Sequence, residues 1–172
     1  MGGGLADLWE RAGHSVTRIG KEGGDVSDAD AVLVAVPGGA IAEALEQVQG
    51  LEGKTVIDAT NLFGVNRPAG FDSNAALVKS KTNGPTAKSF NLNFANLYDR
   101  LGSVQTKPSN VWSGDEEARE VVEQLIRDAG FEPVYAGGLD NARAQEDALS
   151  LIVAIRQNLG QFFYRMAPPD EL

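Results

Sequence analysis

The chain has 172 residues, a formal net charge of -9, no cysteine and one histidine, His14. The length suits one domain over 1–172, and the missing thiols and lone imidazole exclude a disulfide framework, most zinc sites and any Cys-His pair. The acidic balance argues against nucleic acid, and with no apolar run of membrane-spanning length we expect a cytoplasmic protein without a membrane partner.

Met1-Gly2-Gly3-Gly4-Leu5-Ala6 reads as the end of a glycine loop entering a helix. A Rossmann dinucleotide-binding unit runs strand, G-x-G-x-x-G, helix, second strand, with the cofactor diphosphate on the helix N-terminus. Gly2 stands where the third glycine falls, so Gly2 and Gly3 are candidate cofactor residues. Residues 5–12 are the expected helix, Gly13-His14 its stop and 15–19 the second strand, with His14 a turn residue rather than a catalytic acid. The first strand, central in the order 3-2-1-4-5-6, is not in this sequence. The unit reads as N-terminally truncated, with Met1 expected to be an internal methionine or a truncated start.

Residues 20–30 are too short and polar for a further helix and strand, so they read as a loop. The apolar run 31–37 suits a strand buried on both faces of a parallel sheet. Pro37-Gly38-Gly39 then opens a helix with Ile41, Ala44, Leu45 and Val48 on one face, ended by Gly50 and Gly53. A strand follows over 55–61 and a loop over 62–72, after which Asp72-Ser73 caps a short helix through Lys79. Residues 86–90 are a strand, 93–100 helical and 110–113 a strand. Asp115 caps an amphipathic helix with Ala118, Val121, Val122, Leu125 and Ile126 inward, stopped by Gly130. The last strand is 132–136, and Asp140 caps a long C-terminal helix over 140–166 that Pro168-Pro169 stops. Strands alternating with helices predict an α/β fold, a mostly parallel sheet with helices on both faces.

Ligands of open α/β sheets sit at the carboxyl ends of the strands. Val36, Pro37 and Gly38 fall at one such end, where glycine permits close approach and the following helix start favours negative charge. Asn61 and Asn91 follow two further strands, and each offers a donor and an acceptor to a carboxamide or carbonyl. Asn91 equally suits a cap or turn. Asp58, in an apolar strand, is a candidate buried partner for Lys54 or Lys88. After the second strand stand Arg18, Gly20 and Lys21; a lysine there binds a 2′-phosphate as a point charge and favours NADP over NAD. The same residues also suit a solvated turn.

Six segments in order resemble one family. They are 12–17 (Ala-Gly-His-Ser-Val-Thr), 35–37 (Ala-Val-Pro), 56–61 (Val-Ile-Asp-Ala-Thr-Asn), 88–91 (Lys-Ser-Phe-Asn), 113–118 (Ser-Gly-Asp-Glu-Glu-Ala) and 136–143 (Ala-Gly-Gly-Leu-Asp-Asn-Ala-Arg). Together they are similar to the NADP oxidoreductases that use a deazaflavin coenzyme, and to their dinucleotide-binding relatives. The resemblance implies NADP(H) as cofactor and hydride transfer to a deazaflavin or similar acceptor. It also places Phe90 and Asn91 toward the substrate. Where that family carries a Ser-Arg pair for the 2′-phosphate, this chain has Gly20-Lys21. Hydride transfer needs two carbons held close and dry rather than a side-chain acid or base, so no catalytic residue is assigned. Two other readings stand beside this one: a cofactor-poor binding or interaction module, and a reductase of a small imine or ketone. The final helix carries Ala144, Ala148, Leu151, Ile152, Ile155, Leu159, Phe162 and Phe163, an apolar arc too broad for one sheet face. Together with the resemblance, it predicts a homodimer.

Overall fold

The structure, a computed structural model, describes residues 1–64 and 66–171. Val65, in the expected 62–72 loop, and Leu172, at the acidic tail, lie outside them. In chain order the elements are α1 (Gly2–Arg11), β1 (Gly24–Asp25), β2 (Ala31–Val34), α2 (Ile41–Glu46), β3 (Val48–Gln49), β4 (Thr55–Asp58), α3 (Asn74–Thr82), β5 (Thr86–Lys88), β6 (Ser109–Gly114), α4 (Arg119–Asp128), β7 (Glu132–Tyr135) and α5 (Ala142–Leu159). Five strands form one sheet in the order β2-β4-β5-β6-β7, parallel except where β6 meets β5. β1 and β3 form a separate parallel pair.

Alternation along the strands sends successive side chains to opposite faces. Leu33, Ile57 and Ala87 face a core built with Leu5, Leu8 and Trp9 of α1 and Val122 and Ile126 of α4. Val34 and Val56 face the other core, with Ile41 and Leu45 of α2 and Val78 of α3. The mostly parallel sheet with helices on both faces is the architecture the alternation of elements predicts. Among the described residues, no helix is long and apolar enough to cross a membrane.

Four expectations are corrected. Residues 15–19 form no strand. A strand exists by pairing, and neither sheet among the described residues includes this segment. Val16 instead packs against one core and Ile19 against the other. The helix after Gly38 stops at Glu46, because Val48 and Gln49 pair with Gly24 and Asp25. The 93–100 helical stretch is a 3-10 segment, Ala95–Ser103. The final helix ends at Leu159 rather than near Arg165, where Gly160 takes a left-handed φ of 78°. The chain then returns along β6, Ser109 N donating to Tyr164 O at 2.8 Å.

α5 is also rotated relative to the expected apolar arc. Gln145 and Glu146 are buried, whereas Ala144, Leu151, Ile155 and Leu159 are exposed.

Candidate functional site

Three turns meet at the carboxyl edge of the sheet, after β2, β4 and β5. The start of α1 lies against the first of them: a Cβ on Gly2 would stand 3.2 Å from the Cβ of Ala35. Leu5 N is the first amide of this end to find a helical acceptor, Met1 O at 3.1 Å, and no side chain caps the helix. The amides of Gly2, Gly3 and Gly4 therefore remain as donors at the positive end of a ten-residue helix. Gly4 has its own reason to be glycine, since a Cβ there would fall 2.9 Å from the Tyr98 ring.

Gly38 closes the turn after β2 onto the turn after β4. Its Cβ would lie 2.5 Å from Asn61 O and 2.9 Å from Asn74 Nδ2, so only glycine fits. Val36 beside it is half-buried and Pro37 exposed. Asn61, half-buried, donates through Nδ2 to Asn91 O at 3.0 Å and accepts from Asn91 Nδ2 at 3.3 Å.

The other predicted residues are distributed differently. Phe90 is fully buried, its ring 5.8 Å from Trp9 and 6.3 Å from Phe131 in edge-on contacts. Its φ of 62°, uncommon for a non-glycine residue, accompanies this inward turn directly after β5. A substrate contact through that ring is excluded by its burial. Asn91 is buried too, and both hydrogens of its Nδ2 are engaged, one by Asn61 Oδ1 and one by Gln145 O. It sits beneath Asn61 rather than facing a ligand. Arg18 donates to Glu10 at 2.5 Å and to Asp7 at 2.6 Å, and these carboxylates raise its pKa. Its charge is thus already answered. Gly20 and Lys21 lie in an exposed turn, and Lys21 meets no carboxylate among the described residues. His14 Nε2 lies 2.8 Å from Asp128 Oδ2, a structural tie of the α1 exit to α4.

Below the crevice is a polar cluster with members that sequence reasoning passed over. Asp58 and Lys88 are register partners at the last residues of β4 and β5, on one face of the sheet. Lys88 Nζ donates to Asp58 Oδ2 at 2.8 Å, to Thr60 O at 2.7 Å and to Glu146 Oε1 at 3.0 Å, all with buried side chains at the ionic contacts. Glu146 also accepts from Asn74 N at 2.9 Å, and Asn74 Nδ2 donates to Thr60 Oγ1 at 2.8 Å. Burial pushes the Glu146 carboxyl above its ordinary range, against the pull of Lys88. Of the two partners sequence left open for Asp58, Lys88 is the one present; Lys54 binds Ser27 O and Ala29 O. Two surface depressions, of about 320 and 420 Å³, lie elsewhere, beside β7 and beside the β1–β3 pair.

No protein-family model matches the sequence, and no curated protein matches it. Solved structures do. A candidate F420-dependent NADP reductase from Arthrobacter sp. FB24 superposes with a TM-score of 0.68 at 23% identity, over 83% of this chain and 71% of that one. A hypothetical protein from Sinorhizobium meliloti matches with a TM-score of 0.51 at 24% identity, over 81% of this chain and 66% of that one. The fold is Rossmann-like. At these identities the likeness speaks for the fold alone.

Proposed function

We propose that this chain is a Rossmann-like unit that binds NADP(H) at the carboxyl edge of β2 and β4 and serves hydride transfer to a deazaflavin or similar acceptor. The observation that carries the reading is the open N-terminus of α1, brought by Gly2 against Ala35 at the end of β2. Helix amides so placed suit a diphosphate. Val36, Pro37 and Gly38 would border the ligand, with Gly38 letting the backbone approach closely. Asn61 would meet the carboxamide, and Lys21 the 2′-phosphate without help from Arg18. The nicotinamide ring, when bound, supplies the hydride. The chain's own part is to hold the ring, orient it and keep water away. We further propose that two copies pair through the exposed Leu151, Ile155 and Leu159 of α5.

Lys21→Ala is the test of the cofactor assignment. Losing one charge-assisted contact, on the order of 1–2 kcal/mol, weakens NADPH roughly tenfold and leaves NADH unchanged. Equal losses for both cofactors place Lys21 away from the 2′-phosphate. The alternative, a cofactor-poor binding module, draws on two observations: Arg18 is held by Glu10 and Asp7, and 15–19 forms no strand to carry a ribose-binding turn. Failure of both cofactors to bind the wild type favours it.

A further inference from the structure

Lys88, Asp58 and Glu146 lie below the crevice with side chains 0%, 0% and 1% exposed, one cation between two carboxyl groups. Hydrogen bonding treats the two carboxyls differently. Asp58 has both oxygens answered, Oδ1 by Thr60 N at 2.8 Å and Oδ2 by Lys88 Nζ at 2.8 Å. Glu146 has only one. Its Oε1 takes Lys88 Nζ at 3.0 Å and Asn74 N at 2.9 Å, while Oε2 is buried without a donor. Lys88 cannot supply one, because its three hydrogens go to Asp58 Oδ2, Thr60 O and Glu146 Oε1.

A second acceptor, on a residue already bonded to Glu146, is in the same state. Asn74 Oδ1 is buried and unanswered, although Asn74 Nδ2 donates to Thr60 Oγ1 at 2.8 Å. Each bare oxygen exposes less than 1 Å², too little for a water molecule to sit against it. A dry, bare carboxylate oxygen keeps its full desolvation cost, and three ions here would bury one uncompensated negative charge. A proton on Oε2 removes both costs: it cancels the excess charge and turns a bare acceptor into a donor. The charged groups acting on Glu146 are Lys88 from β5 and Asp58 from β4. α3 meets it with Asn74, the α3 lysines Lys79 and Lys81 being paired to Asp115 and Glu46. β6, packed on α5, carries no charged residue, and Asp140, Arg143 and Asp147 are exposed.

The cluster also reaches the crevice. Asn74 Nδ2 lies 2.9 Å from where a Cβ on Gly38 would stand, so one residue separates the Glu146 carboxyl from the turn after β2. We propose that Glu146 is a neutral carboxylic acid in the folded chain at neutral pH, and that its ionisation at alkaline pH sets a negative charge beneath the Gly38 turn and weakens an anionic ligand there. The first half stands on the cluster itself. The second rests on the dinucleotide reading of the crevice and adds a proton-linked control of that site.

The experiment has two arms. NMR of wild type isotope-labelled at its glutamate carboxyl carbons follows Glu146, assigned through its own backbone amide, as pH is raised; this arm needs no variant to fold. Calorimetry compares NADPH affinity at neutral and alkaline pH in wild type and Glu146→Gln, which keeps the shape and a donor but cannot ionise. We expect the Glu146 carboxyl to remain protonated at neutral pH, well above its ordinary value of 4.5, and to ionise only in alkali. Wild-type affinity for NADPH then falls several-fold further over the pH step than that of Glu146→Gln. A Glu146 already ionised at neutral pH overturns the proposal. Equal falls in the two proteins, with Glu146 titrating in alkali, overturn the effect on the ligand. A wild type that binds no NADPH at either pH removes the cofactor reading and the ligand effect with it, while the carboxyl titration still decides the proton.

Discussion

Lys88 faces two carboxyl groups in a space closed to water, and among the described residues its single positive charge answers both. Burial raises the Glu146 pKa from its ordinary value of 4.5, with Lys88 opposing and Asp58 reinforcing the shift. A carboxyl that holds its proton more tightly in the folded chain contributes stability that is full below the ordinary value and is lost as pH rises through the folded value. We expect urea-unfolding stability to carry that downward slope above about pH 4.5, and Glu146→Gln, which keeps an acceptor for Asn74 N, to flatten it. A variant with the same slope as wild type assigns the pH dependence to another group. Asp128 runs the other way. Its pKa is lowered by the Gln124 hydrogen bond and by His14, so its contribution is present above 3.8 and fades as pH falls through the folded value. The two slopes fall on opposite sides of the ordinary carboxylate range and can be separated by titration.

α1 is held in the fold by the burial of its side chains. Leu5, Leu8 and Trp9 enter the core shared with α4, and Trp9 Nε1 donates to Leu125 O at 2.8 Å. Leu5 is fully buried, so Leu5→Ala costs about 2–5 kcal/mol of unfolding free energy by denaturant titration. A cost under about 1 kcal/mol shows α1 to be loosely docked, and a loose α1 gives no fixed amides for a diphosphate.

The same elements show what a sequence can disclose. β2 and β4 were legible because both sheet faces are covered, which leaves continuous apolar runs such as Val56-Ile57. That Gly38 and Asn61 stand at the carboxyl edge of the sheet was legible from their places just after those runs. Residues 15–19 have a strand's pattern, yet pairing belongs to two segments and this one joins no ladder. Gln145, Glu146 and Asn74 were not legible, because periodicity assigns polar side chains to water and only the tertiary contacts bury them. The Lys88–Asp58 pair was half visible: strand register joins them, while the third member comes from α5, 58 residues later in sequence than Lys88.

At the scale of the molecule, α5 turns polar residues inward and leaves an apolar row outward. Leu151 is 61% exposed and Leu159 66%, with Ile155 between them at 36%. Spaced four residues apart, they form one stripe on the helix. We expect sedimentation to find a homodimer at micromolar concentration and Leu151→Asp with Ile155→Asp to yield a folded monomer. A wild type that remains monomeric contradicts the pairing.

The central claim is that a nicotinamide dinucleotide lies along the carboxyl edge of β2 and β4, beneath the start of α1. Against a net charge of -9, binding of so anionic a ligand calls for local donors, and the candidates are named: Gly2, Gly3, Gly4, Gly38, Asn61 and Lys21. Titration of isotope-labelled protein with NADPH, followed by amide resonances, tests it most directly. The account predicts saturable shifts concentrated at Gly2–Gly4, Gly38 and the Asn61 backbone and side-chain amides, with β7 and the end of α5 unmoved. Shifts confined to other surfaces, or none at millimolar NADPH, contradict it.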